Sequence, residues 1–344
     1  MEKGPEFRIV GDASAEKKEI EQALFNHSKS LSPQEKELLE KFEYPKSEEE
    51  LALIDFANKE TNELMQGFGL EPYDIPTENY HIVPTEVFKT LVGKIADNFE
   101  TKAAVIALKQ RIIFDSHPFR NNLNLAPLGA SILHETIHLK SHFSIEIEEM
   151  IDKVETSSYR GGLVVASSRR NNKQKGHHFH FYGLNEAIVS AQEKKSMNKL
   201  FDLPELVEEK RLLMSDWAKE LIENTAQKEK ITEDDIMLIF NKNKKDFIIA
   251  EKSYREQRQT LDYVCSEIQK EFSDQYKSID DVFKEFLKAN FTGQLLTIGR
   301  LVEETFGKGS FRILGDMGMD SKSAILTLEI LKIIRAKKTI KKFR

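Results

Sequence analysis

Apolar residues recur at intervals of three and four along much of the chain, the period of a helix that buries one face. Leu51, Ile54, Phe56, Leu64 and Met65 predict a helix that opens after Ser47 and runs to about Gly67. Its start carries a serine with a glutamate three residues on, Ser47 and Glu50, and the same capping box, with a proline at the first helical position, stands at Ser32-Pro33-Gln34-Glu35. Prolines 72, 76 and 84 then interrupt the helical period. Between them Tyr80-His81-Ile82-Val83 is β-like, and the stretch from Ala104 finishes in Arg111-Ile112-Ile113-Phe114, so a small sheet is expected among the helices. Another capped start, Asn124-Leu125-Ala126-Pro127, predicts a helix through Leu128, Leu133 and Ile137 to about His142. Tyr159 to Ser167 and His177 to Tyr182 are β-rich runs separated by the polar, basic stretch Ser168 to Gly176, and a new helix opens at Asn185. From Ser196 onward the pattern is helical almost throughout: Leu203 to Asn224, Glu233 to Phe240, Ile248 to Phe272, Ile279 to Ala289, Gln294 to Phe306 and Ser321 to Ala336. The expected organisation is a tail over residues 1–15 with one short strand at Phe7 to Val10, an α+β domain over 16–195, and an α-helical domain over 196–344.

Composition narrows the class. The chain has 344 residues, of which 40% are hydrophobic and 31% charged, enough apolar material for a packed core and more charge than the ~25% of an average globular chain. No run approaches the ~18 apolar residues of a membrane span, and the first residues lack the apolar core of a signal peptide, so a cytoplasmic protein without a membrane span is expected. A net charge of −6 argues against a chain-wide nucleic-acid-binding surface. The basic run from Lys332 to Arg344 reads as an exposed helix end whose cations suit the negative end of the dipole. Cys265 is the single cysteine, which removes disulfides and cysteine-based zinc sites and leaves His, Asp and Glu as the ligands for a transition metal. In a helical run, that cysteine is expected in the core. Gly307-Lys308-Gly309-Ser310 lacks the spacing of a phosphate loop and is expected to end the helix before it.

His134-Glu135-Thr136-Ile137-His138 lies inside one of these helices. Residues four apart on a helix are surface neighbours, so both imidazoles can converge on one ion, with zinc–nitrogen distances of ~2.0–2.1 Å. Glu135, beside them, can take the proton of a metal-bound water as that water attacks a carbonyl, the role of a general base. A catalytic zinc needs a third protein ligand and an open position. His142 is eight residues from His134 and therefore about 12 Å along a straight helix, too far to share the ion. The third ligand lies farther on, with Glu146, Glu149, Glu155 and Glu186 as candidates.

Together with Gly183-Leu184-Asn185-Glu186-Ala187-Ile188, the histidine motif resembles the gluzincin-type zinc metallopeptidases, including the thermolysin-like enzymes. In these, one helix bears HExxH and a second bears a glutamate ligand within an Asn-Glu-Ala-like segment. The resemblance covers only Leu128 to Gln192. It implies a zincin-like core with a small sheet, one zinc ion held by His134, His138 and Glu186, Glu135 as the catalytic base, and a peptide or protein as substrate. Two features depart from the pattern: the gap from His138 to Glu186 is 186 − 138 = 48 residues, and Ser190 stands where an aspartate orients a ligand histidine. A serine brings no charge to that task. Tyr159, Tyr182, His178 and His180 are the candidates for stabilising an oxyanion, with His178, His180 and Tyr182 expected on one face of a strand. The loop residues Arg169, Arg170, Lys173 and Lys175 are basic and are expected to be solvated. The competing expectation is an inactive zincin-like scaffold that binds metal and serves as an interaction module.

Overall fold

The computed structural model describes residues 7–10, 31–93, 102–117, 125–149, 154–168, 177–241 and 246–342. They form an α+β protein, mostly helical with small sheets. No described helix is long and apolar enough to cross a membrane. The chain forms two compact units, each built from non-contiguous stretches: Gln22–Leu139 with Glu193–Ser253, and Met1–Glu21 with Lys140–Gln192 and Tyr254–Arg344.

In the first of these units, helices α1 (Pro33–Phe42) and α2 (Glu48–Gly67) both begin at the expected capping boxes, where Ser32 and Ser47 accept from the amides of Glu35 and Glu50 and receive their carboxylates in return. A three-stranded sheet follows, with β2 (Tyr80–Val83) parallel to β4 (Arg111–Asp115) and β3 (Ala103–Ile106) antiparallel to β4. Helix α3 (Thr85–Val92) covers it through Val87, Phe88 and Val92, which pack with Leu39, Val83 and Ile113.

Helix α4 (Leu125–Lys140) carries the histidine pair. Its expected cap, Asn124, lies outside the described residues. Glu209 of helix α6 (Val207–Leu213) accepts from Leu125 N at 2.7 Å and from Ala126 N at 2.9 Å. Gly129 lies where neighbours crowd α4 most closely, for a Cβ there would meet Leu53 Cδ2 at 2.9 Å and Leu200 Cδ1 at 3.0 Å. A side chain there would require the ends of these two leucines to shift.

The remainder of this unit departs from the almost wholly helical pattern expected after residue 196. Glu233–Asp235 form a single 3-10 turn, and both Ile236 and Ile248 lie in strand rather than helix. Strands β9 (Ile236–Asn241) and β10 (Asp246–Glu251) pair antiparallel, with Ile239 opposite Ile248 and Leu238 opposite Ile249. Short apolar runs fit a strand as well as a buried helix turn, and here cross-strand pairing and packing decide. Phe247 stacks against Trp217 of helix α7 (Asp216–Glu229) at a ring separation of 4.8 Å.

The second unit holds a five-stranded sheet in the order β1-β5-β6-β7-β8. The expected strand β1 (Phe7–Val10) is parallel to β5 (Phe143–Glu149), and the other pairs are antiparallel. The β-rich run expected from Tyr159 to Ser167 is two strands, β6 (Val154–Gly161) and β7 (Val164–Ser168), because Gly162 turns the chain with φ +59°. Strand β8 (His177–His180) ends the sheet, and the intervening basic loop lies outside the described residues. Helix α5 (Tyr182–Leu200) begins three residues before its expected start at Asn185 and continues unbroken past residue 195.

Helices α8 (Arg255–Glu271), α9 (Ile279–Thr292), α10 (Leu295–Phe306), α11 (Ser310–Gly315) and α12 (Ser321–Lys342) complete this unit. Cys265 is buried within α8, as its helical setting predicts. Gly307 closes α10 by donating to Glu303 O at 2.8 Å, so the Gly-Lys-Gly-Ser segment ends a helix. Segments of both units come from the region after residue 196.

Candidate metal centre

Helix α4 orients its five-residue motif by burying the two residues that are not chemical. Thr136 and Ile137 are wholly buried, while His134, Glu135 and His138 are half-buried. The hydroxyl of Thr136 donates to Ile132 O at 2.6 Å and meets the buried Tyr80 Oη at 3.0 Å, which fixes the rotation of the helix against β2. Burial pushes the Tyr80 phenol well above its ordinary value, so it is a neutral hydrogen-bonding group.

The two imidazoles meet at their outer nitrogens. His138 Nε2 and His134 Nε2 are 3.1 Å apart, with the ring centroids 4.8 Å apart and the rings steeply inclined. Two nitrogens bound at ~2.0–2.1 Å to one tetrahedral ion are about 3.3 Å apart, so this spacing fits a shared cation with little movement. Glu186, in the second turn of α5, completes the group: one ligand atom each of His134, His138 and Glu186 lie within 4.8 Å of one another. Two imidazoles and one carboxylate so placed could hold a metal ion. Glu135 follows His134 directly on α4 and is half-buried.

Both ends of the site are tied by buried polar contacts. Asn185, next to Glu186, accepts through Oδ1 from Leu163 N at 2.9 Å and from Asn290 Nδ2 at 2.8 Å. Asn290 Oδ1 in turn accepts from the hydroxyl of Ser141, one residue past α4, and Asn290 O accepts from His142 N at 3.0 Å. These groups form one network, in which a fully paired amide is worth far more than a half-paired one. Gly162 passes so close that a Cβ would lie 2.4 Å from Asn185 Oδ1. The start of α5 is held as firmly. Phe181 adopts φ 65°, donates to Gly315 O at 2.6 Å and buries its ring against Phe311. Gly183 donates to Met317 O at 3.1 Å, and a Cβ on it would lie 2.3 Å from Gly318 O.

The expected aspartate position is filled differently. Ser190 Oγ accepts from Arg258 Nη1 at 2.9 Å, both residues being buried. His134 nevertheless has a carboxylate partner, for its Nδ1 lies 2.9 Å from Glu193 Oε2. Glu193 was not among the residues singled out from the sequence. Its signal is its position seven residues after Glu186, two turns along the same helix face.

Of the other candidate ligands, Glu146 and Glu149 lie on β5 and Glu155 on β6, with side chains outside those described. His142 pairs with Ser144 Oγ at 2.9 Å and lies over Gly293. The oxyanion candidates separate. His180 Nδ1 is 2.9 Å from Asp316 Oδ1, and Tyr182 makes an edge contact with Phe179 at 6.5 Å. The side chains of Tyr159 and His178 are outside the described ones. The expected common face of His178, His180 and Tyr182 does not extend to the tyrosine, because the left-handed Phe181 ends the strand and Tyr182 is already helical.

No family model, no curated protein and no solved structure matches the chain.

Proposed function

We propose that the chain is a single-zinc metallopeptidase with a zincin-like core, acting on a peptide or protein substrate. The observation that carries this reading is the convergence of His134, His138 and Glu186 within 4.8 Å, with Glu135 adjacent on the same helix. Zinc bound there would supply Lewis-acid polarisation of a carbonyl and a water acidified to near neutral pH. The chain's own part is proton transfer and orientation. The Glu135 carboxylate accepts a proton as water adds to the peptide carbonyl, then delivers it to the departing amine nitrogen, a service worth ~10²–10⁴ in rate. Asn185 and Gly183 fix the turn of α5 that presents Glu186, and Tyr80 fixes the rotation of α4.

The test replaces the base and leaves the ligands. E135Q protein should retain zinc at the wild-type stoichiometry and lose hydrolysis of casein or of a peptide library; persistent hydrolysis would overturn the assignment of Glu135. A second reading, a metal-binding scaffold without activity, is motivated by the pairing of His180 Nδ1 with Asp316, which takes one of the two nitrogens of a candidate oxyanion donor. It predicts wild-type protein that binds zinc and hydrolyses nothing, whereas proteolysis abolished by a chelator and restored by zinc excludes it.

A further inference from the structure

We propose that Glu193 is a positioning residue that holds His134 in the tautomer and orientation a metal requires. The inference rests on the metal reading above. An imidazole can present a lone pair to a cation at Nε2 only when its proton sits on Nδ1, and in solution neither tautomer is strongly fixed. In this chain Glu193 Oε2 lies 2.9 Å from His134 Nδ1, while His134 Nε2 is the nitrogen that faces His138 Nε2 at 3.1 Å. A carboxylate can only accept here, so of the two neutral tautomers this contact favours the one with its proton on Nδ1, whose Nε2 lone pair faces the donor group. The partners are largely shielded, with side-chain exposures of 12% for His134 and 24% for Glu193, so the contact is stronger than a fully hydrated ion pair.

The rest of α5 explains why the acid stands at 193. At 100° per residue, positions four and seven after Glu186 are displaced by about +40° and −20° from it, so Ser190 and Glu193 both fall on its stripe. Ser190 is one turn away, but its hydroxyl is committed to the buried Arg258 at 2.9 Å. An acid at 190 would be drawn to the same guanidinium. Glu193 is one turn farther on, where its longer side chain reaches the histidine ring.

The experiment measures zinc affinity of the full-length protein by competition with a chromophoric chelator at pH 7.5, for wild type, E193Q and E193A. E193A should weaken zinc binding by 10- to 100-fold, the usual effect of removing such a partner, and E193Q by less, because its amide oxygen still accepts from Nδ1–H. Long-range ¹H–¹⁵N spectra of the metal-free protein give a second readout that a merely structural role would not move. His134 should be the Nδ1–H tautomer in wild type and in E193Q, and a mixture in E193A. Unchanged zinc affinity and an unchanged tautomer in E193A overturn the role of Glu193 and leave the metal reading standing. Wild-type protein that binds no zinc overturns both.

Discussion

Tyr80 Oη and Thr136 Oγ1 face each other at 3.0 Å inside the core, joining β2 to the middle of the histidine motif. Thr136 keeps its bond to Ile132 O when the phenol is removed, so it is not left unpaired. Y80F should therefore cost only about 1 kcal/mol in urea unfolding, the net worth of one neutral hydrogen bond. T136V removes both contacts and should cost more.

Gly183 offers a sharper structural test. Its missing side chain lets α5 start against Gly318 O, which a Cβ would approach to 2.3 Å. Backbone cannot swing aside as a side-chain tip can, so G183A should destabilise by ~1–3 kcal/mol, the range for overpacking. It should also weaken zinc binding, since the turn that presents Glu186 must shift. Isothermal zinc titration of the folded variant checks the second effect apart from the first.

Acid stability has a local source in the cluster of Glu43, His81 and Arg111. Arg111 Nη1 can only donate, and it reaches His81 Nε2 at 2.7 Å, so His81 Nδ1 donates to Glu43 Oε2 at 3.0 Å. Burial alone would raise the Glu43 carboxyl, but hydrogen bonds from His81 and Lys46 outweigh it and hold it below its ordinary 4.5. A carboxyl depressed by folding adds stability above its unfolded value, and that contribution is lost as pH falls through the folded value. E43Q should melt lower than wild type at pH 7, and the difference should shrink as the pH drops below about 4.5. A melting-temperature series from pH 7 to pH 3 checks it.

Much of the local structure was legible because it is written locally. The capping boxes at Ser32 and Ser47 and the strand at Tyr80–Val83 follow from neighbouring residues, and so does the helical setting of His134 and His138. The alternation Phe143, Ile145, Ile147 against Ser144, Glu146, Glu148 marks β5 in the same local way. The β9–β10 hairpin is harder to see. Met237-Leu238-Ile239-Phe240 is too short to show a period, and its state is set by the partner strand and by Trp217. Distant pairings are only faintly marked in the sequence: Asn185 with Asn290 are 105 residues apart and His134 with Glu193 are 59 apart. The seven-residue step from Glu186 to Glu193 was the one clue to the second of these.

The claim on which the rest depends is that His134, His138 and Glu186 hold one cation together, and metal stoichiometry tests it most directly. Full-length protein reconstituted with zinc and freed of excess should carry one zinc per chain by elemental analysis, with imidazole and carboxylate signatures in its X-ray absorption spectrum. H138A and E186A should each lose that zinc while keeping the wild-type far-ultraviolet circular dichroism. Folded variants that retain the full zinc content, or a wild-type chain that takes up none, would contradict the account.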